Sequence, residues 1–198
     1  EIFELYKQDR YDLSTSDLTK TDLNEIKKLS KEKRSNYANA PIGREIFRLI
    51  SEQEPNISFK LAHYDNKEID ALLYIPFVES RRAHIILNAS QPLVSQIFAA
   101  AHEYYHYLKD YEELRNNPQV CSLEALKTVS EQKASRFAAE LLLPAEALRD
   151  EVDRFLGFSN VKKAVDLKVG QWAVVCILLV KKYEIPLKAV IFRLHEEG

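Results

Sequence analysis

The stretch AAAHEYYHYLKD, residues 99–110, constrains this chain more than any other. Ile97, Ala100, Ala101, Tyr104, Tyr105 and Leu108 surround two histidines, the pattern of a largely buried helix. On such a helix His102 and His106 stand one turn apart on the same face, so both imidazoles can reach one ion. Burying two imidazoles beside the carboxylate of Glu103 is costly unless something satisfies them. A divalent cation does so, and its Lewis acidity lowers the pKa of water toward about 7. Glu103, one step along, projects beside the ion, where it can carry a proton from water to a leaving amine instead of ligating. The bare spacing recurs by chance, so the chemistry requires a third ligand elsewhere in the chain.

A catalytic zinc takes three protein ligands and leaves one position open. One class of zinc peptidase would continue with a glycine three residues after His106 and a histidine three further on, but Lys109 and Glu112 stand there. His63 and His84 fall on expected strands and His195 lies near the end; these are read as surface or satisfied histidines. A helix over SLEALKTVSEQKASRFAAELLLP aligns Ala134, Phe137, Ala138, Leu141 and Leu142 as one apolar stripe, with Glu131 at its edge. A carboxylate so aligned needs a partner, which makes Glu131 the third candidate ligand and Glu124, nearly in phase, the reserve. Glu140 is expected on the opposite, polar face with Lys133 and Arg136. The ligand set suits zinc, and manganese or another divalent ion also fits. Peptide hydrolysis needs an oxyanion donor as well; Tyr104, Tyr105, Tyr107 and His195 have the chemistry, and the pattern does not choose among them.

Around this centre the chain reads as a small sheet followed by many helices, hence an α+β fold. Residues 1–40 are polar and charged, with Ser and Asp caps before Leu18, Leu23, Ile26 and Leu29 at helical spacing. The run Lys27, Lys28, Lys31, Lys33, Arg34 is interleaved with acids and reads as a solvated face. A short helix starts at Pro41 and ends before Pro55. Strands follow over ISFKLAHY, IDALLYIP and AHIILNA, and their short connections favour antiparallel pairing, with a mixed three-stranded sheet as the variant. Helices are expected at about 92–109, 122–142, 144–156, 161–183 and 186–196.

A formal charge of −2 gives no global pull toward nucleic acid or an anionic membrane. The apolar run from Val169 to Val180 is shorter than the roughly 20 residues of a membrane helix. Cys121 and Cys176 are far apart, and Cys176 sits in WAVVCILLV, where a thiol acts as a small core hydrophobe. The expected compartment is the cytoplasm. The chain contains no Met, initiator included, which fits a piece of a longer protein.

AAAHEYYH followed by EQKASRFAAELLLP resembles the paired signatures of the ImmA/IrrE-type metallopeptidases, in which a zinc helix precedes a glutamate-led helix. HIILNAS is similar to the family's preceding strand, and YEIPLKAVIFRLHEEG to its closing segment. The likeness covers about 42–198. It implies His102, His106 and Glu131 as zinc ligands and Glu103 as general base. It also implies an intracellular endopeptidase that cuts a partner protein, often a helix-turn-helix repressor, in stress responses or mobile-element control. On this reading 1–40 is a lead-in or linker from an upstream DNA-binding domain and 41–198 the metallopeptidase domain, itself without direct nucleic-acid binding. Tyr104 and Tyr105 stand where the family often has small or aliphatic residues, Ser135 where Asn is common, and Leu143 where Met is. Two rivals use the same residues differently: a metal-binding sensor without proteolysis, and a metal-free helical module coupled to an antitoxin-like partner.

Overall fold

The computed structural model describes residues 17–64, 69–76, 82–116, 128–159, 164 and 167–197. The first helix among the described residues, α1 (Lys20–Lys33), is capped by Thr19 and not by a serine or aspartate. Its Oγ1 accepts the Asp22 N–H at 3.1 Å while its own N–H donates to Asp22 Oδ2 at 2.9 Å, a reciprocal cap that satisfies two end groups. Ile26 and Ser30 are buried, while Lys27, Lys28 and Lys31 are exposed.

A 3-10 turn at Gly43–Glu45 leads into α2 (Ile46–Gln53). Gly43 has a φ of +48°, and a Cβ there would collide with the Glu184 carboxylate, which accepts the Arg44 N–H at 2.9 Å. Only glycine fits both conditions.

Three strands follow, β1 (Ile57–Ala62), β2 (Ala71–Tyr74) and β3 (Ala83–Asn88). Their spatial order is β1-β3-β2. β2 and β3 are antiparallel, with Leu73 opposite Ile85; β1 and β3 are parallel, with Phe59 opposite Ile85. The sheet is therefore mixed, and the expected antiparallel pairing of chain neighbours holds only for β2 and β3. β3 takes the centre because both its faces are covered: Ile85 and Leu87 are buried and Ile86 half-buried, whereas β1 leaves Lys60 and Leu61 exposed as an edge strand does. Buried Asn88 ties the sheet's end together, donating from Nδ2 to Ile69 O at 2.8 Å and accepting the Ser90 N–H at 2.9 Å.

The rest is helical: α3 (Leu93–Lys109), α4 (Tyr111–Asn116), α5 (Val129–Leu142), α6 (Ala145–Ser159), α7 (Val169–Tyr183) and α8 (Leu187–Glu197). The short α4 has no counterpart in the expected helices. Cys121 and Glu124 lie outside the described residues. A small mixed sheet with this helical majority is an α+β architecture. α3 packs on β2, β3, α2 and α5, and α5 packs also on α1 and α8. The three alanines Ala99–Ala101, all buried, let α3 come close to its neighbours, which is why the helix is buried on every side.

Two expectations change. α7 buries Val175, Leu179 and Tyr183 but exposes Val174, Ile177 and Leu178, with Cys176 half-buried, so its apolar run is only partly core. Arg136 and Glu140 are buried, not on a polar face, because α8 meets that side of α5 with its own charges. Arg193 Nη2 lies 2.9 Å from Glu140 Oε2, and Glu196 Oε1 lies 3.1 Å from Arg136 Nε. Among the described residues no helix is long and apolar enough to cross a membrane.

Candidate metal centre

α3 and α5 face each other through their histidines and first-turn glutamate. His102 and His106 lie one turn apart on α3, with Nε2 atoms 3.1 Å from one another. Thr128 caps α5 by accepting the Glu131 N–H at 3.3 Å, which fixes Glu131 in the first turn opposite the histidines. Its Oε2 lies 2.9 Å from His102 Nε2 and its Oε1 3.2 Å from His106 Nε2. All three side chains are buried, their donor atoms fall within 4.8 Å of one another, and together they could hold a metal ion.

The far side of each ring is also engaged. His106 Nδ1–H donates to Asp110 Oδ2 at 2.6 Å, and the Ser130 hydroxyl donates to the same oxygen at 2.6 Å. Ser135 Oγ lies 3.3 Å from His102 Nδ1. With Nδ1 occupied, Nε2 turns its lone pair inward, the arrangement that orients a metal-ligating histidine. Two lone pairs and a carboxylate aimed at one point call for a cation. Without a metal, protons must supply it. Burial opposes charging His106, but hydrogen bonds to Asp110 and Glu131 outweigh this and push its pKa up to about 10. Burial likewise opposes ionising Glu131, yet the two histidines hold it well below the usual carboxylate range.

Glu103 is only 3% exposed. Its carboxylate accepts the Leu73 N–H from β2, while Oε2 has no hydrogen-bond partner. Burial pushes its pKa up, against the pull of the neighbouring histidines. A buried, half-satisfied carboxyl beside two imidazoles and a second carboxylate departs from what stability alone would choose. The donor set, its oriented rings and this orphaned oxygen all fit a resident divalent metal.

The other sequence candidates lie elsewhere. Tyr104 is buried with its hydroxyl donating to Gln53 Oε1 and Glu54 Oε1 at 3.1 and 3.2 Å. Tyr105 packs on Phe137 at 5.5 Å and Tyr107 on Tyr111 at 5.3 Å. His63 Nδ1 is 3.3 Å from Ser90 Oγ, and His84 stacks on Tyr74 with Nδ1 2.6 Å from Ser58 Oγ. His195 is exposed on α8. Asp110 and Ser130 were not singled out from the sequence. The signal for Asp110 was there, four residues beyond His106 and so on the same helical face; Ser130 simply precedes Glu131.

Residues 51–195 match the model of a peptidase family described as the IrrE N-terminal-like domain. The chain belongs to that family. A metallopeptidase-type domain of this IrrE-like kind is metal-dependent, in keeping with the buried triad. No curated protein matches the chain. Among solved structures it is similar to a Mycobacterium tuberculosis transcriptional regulator, with a TM-score of 0.55 and 13% identity over 86% of this chain and 46% of that one. At that identity the IrrE-like domain shares a fold with the regulator, and it spans less than half of the regulator's length.

Proposed function

We propose that this domain is a zinc-dependent endopeptidase that cleaves a regulatory partner protein in the cytoplasm, a helix-turn-helix repressor being the expected substrate. The observation that carries the reading is the buried triad of His102, His106 and Glu131 with the unpartnered Glu103 oxygen beside it. Two imidazoles and one carboxylate suit zinc and leave a position open. The bound ion supplies Lewis acidity toward water and a scissile carbonyl. Glu103 takes the proton of the attacking water and delivers it to the leaving nitrogen, and its raised pKa suits a group that holds a proton between those steps. Asp110 and Ser135 keep the two rings in position. Among the described residues β2 pairs on one side only, so its free edge offers main-chain groups to an extended peptide beside Glu103.

A repressor substrate rests on the resemblance to ImmA/IrrE-type peptidases, together with the regulator that shares the fold. A metal sensor without proteolysis has no use for a partly unsatisfied carboxyl at the centre, and Glu103 therefore favours the peptidase. Incubating the zinc-loaded protein with the repressor encoded nearest to it, with and without a chelator, and weighing the products tests the reading. Two fragments whose masses sum to the repressor plus one water, absent with chelator, are expected; an intact repressor under every condition, alongside an unchanged biological response of a Glu103 variant, turns the reading to the sensor.

A further inference from the structure

The far end of α5 borders a second polar site, independent of the metal reading. A cavity of about 710 Å³ opens between α1 and the α5–α6 junction, lined among others by Lys27, Ser30, Lys31, Arg34, Glu140 and Arg149. That volume suits a small organic ligand. Arg34 is only 3% exposed, yet its guanidinium is spent on main-chain carbonyls: Nε donates to Ala38 O at 2.6 Å, Nη2 to Ala40 O at 2.7 Å, and Nη1 to Leu141 O. Among the described residues no carboxylate lies within ion-pairing distance of it. A buried cation without a counter-anion is costly, and burial pulls its pKa down to about 10.

Nearby charges do not balance it. Glu140 lines the cavity but is held by Arg136 at 3.0 Å and Arg193 at 2.9 Å. Glu196 pairs with the same two arginines at 3.1 and 2.9 Å. Glu197 is a third carboxylate on Arg193, at 3.6 Å, and none of the three pairs with Arg34. At the mouth Lys27 and Lys31 are exposed, as are the lining acids Glu32 and Glu146, and Arg149 reaches Glu197 at 3.7 Å. Between mouth and floor sits Ser30, 1% exposed, whose Oγ has no partner. A helical serine commonly bonds back to the carbonyl one turn earlier; this one does not, and its hydroxyl is left unpartnered in the wall of the cavity.

We propose that this cavity binds a small anionic ligand bearing a phosphate or carboxylate group, with Ser30 and Lys31 contacting the anionic oxygens and Arg34 supplying the field at the floor. Arg34 holds the turn after α1, so its replacement tests folding and not binding; Ser30→Ala and Lys31→Glu are the informative variants. Lys28→Glu makes the same charge change on the same helix outside the lining. The metal-loaded full chain is titrated with inorganic phosphate, glycerol 3-phosphate and succinate against chloride at equal ionic strength, by calorimetry and thermal shift. Saturable binding of at least one probe is expected. Ser30→Ala and Lys31→Glu should each weaken it by about tenfold or more, the worth of one charge-assisted hydrogen bond, while Lys28→Glu stays within about twofold, as a screened surface charge does. Silence of both methods with all three probes overturns the proposal, as does equal weakening by Lys28→Glu and Lys31→Glu. Phosphate-only and succinate-only responses would each uphold the site and assign its anion class.

Discussion

α5 carries a buried electrostatic cluster at each end, and the two are opposite in kind. At its first turn Glu131 meets His102 and His106 with Glu103 alongside, a gathering of lone pairs and carboxyls aimed at one point. At its last turns Glu140 meets Arg136 and Arg193, and Glu196 closes the group, so the charges largely answer one another. Both clusters are desolvated, and both cost free energy to form. The difference is that the second sets each carboxylate against guanidinium groups of the chain, even though Arg136 Nε and Arg193 Nη2 miss hydrogen-bond geometry, whereas the first leaves a carboxylate oxygen of Glu103 unanswered. Incompleteness at a buried polar site is the mark of a place where something else binds or reacts, and self-sufficiency is the mark of a place that holds helices together.

The sharpest way to break this contrast is to remove the reactive group from one cluster and a structural group from the other. Glu103→Gln keeps the size of the side chain and all three metal-site donors, so metal content and thermal stability should hold while cleavage of a true substrate falls by about 10²–10⁴-fold. Full activity in that variant, measured by product mass against time, would reject Glu103 as the proton carrier. At the other end Arg193→Ala removes a side chain with 0% exposure and leaves Glu140 with Arg136 as its one cationic partner. Breaking a buried pair in this way costs about 3–5 kcal/mol, read as a lowered midpoint in urea unfolding with metal affinity kept in the folded fraction. A loss below about 0.5 kcal/mol, the scale of a neutral surface change, would mean that this cluster is not structural.

The two clusters also differed in how visible they were in the sequence. His102 and His106 are four apart on one helix, and Glu131 shows its phase against five apolar neighbours; both are local patterns, which periodicity reads well. Arg136 and Glu140 obey the same periodicity, yet they turn inward because Arg193 and Glu196 arrive from α8, a contact that no local window contains. The sheet repeats the lesson. β2 and β3 pair as chain neighbours do, but β1 passes over β2 to join β3 in parallel, and that choice rests on which strand can be covered on both faces. Asp110 was legible in principle, being one turn past His106, but an aspartate at a helix end is ordinary as a cap residue and gains meaning only when the imidazole is seen to donate to it.

Asp110 offers a finer test of what completes the first cluster. Asp110→Asn retains shape and the ability to accept from His106 but loses the charge that polarises the ring. Partners of this kind are worth about 10–100-fold in metal affinity, so competition with a chromogenic chelator should show zinc held that much more weakly, with the metal-free protein still folded. Unchanged zinc affinity would confine Asp110 to tying α3 to Ser130.

The smallest and most diagnostic effect is the pH dependence of stability with and without metal. In the metal-free protein His106 titrates at about 10 in the folded state, up from 6.5, so its contribution is full below about pH 6.5 and is lost as pH climbs toward 10. Glu131, held below its ordinary 4.5, contributes above that value and loses its contribution as pH falls through the lowered folded pKa. The metal-free fold should therefore be most stable near pH 5–6 and weaken on the alkaline side as His106 deprotonates beside the ionised Glu131. Metal binding instead needs neutral imidazoles, and protons compete with it, so the stabilisation added by zinc should grow from about pH 5 to 8. The melting temperatures of the two forms diverge with rising pH if protons and metal contend for the same three side chains. Parallel profiles would place the metal elsewhere, and the first cluster would then be as self-contained as the second.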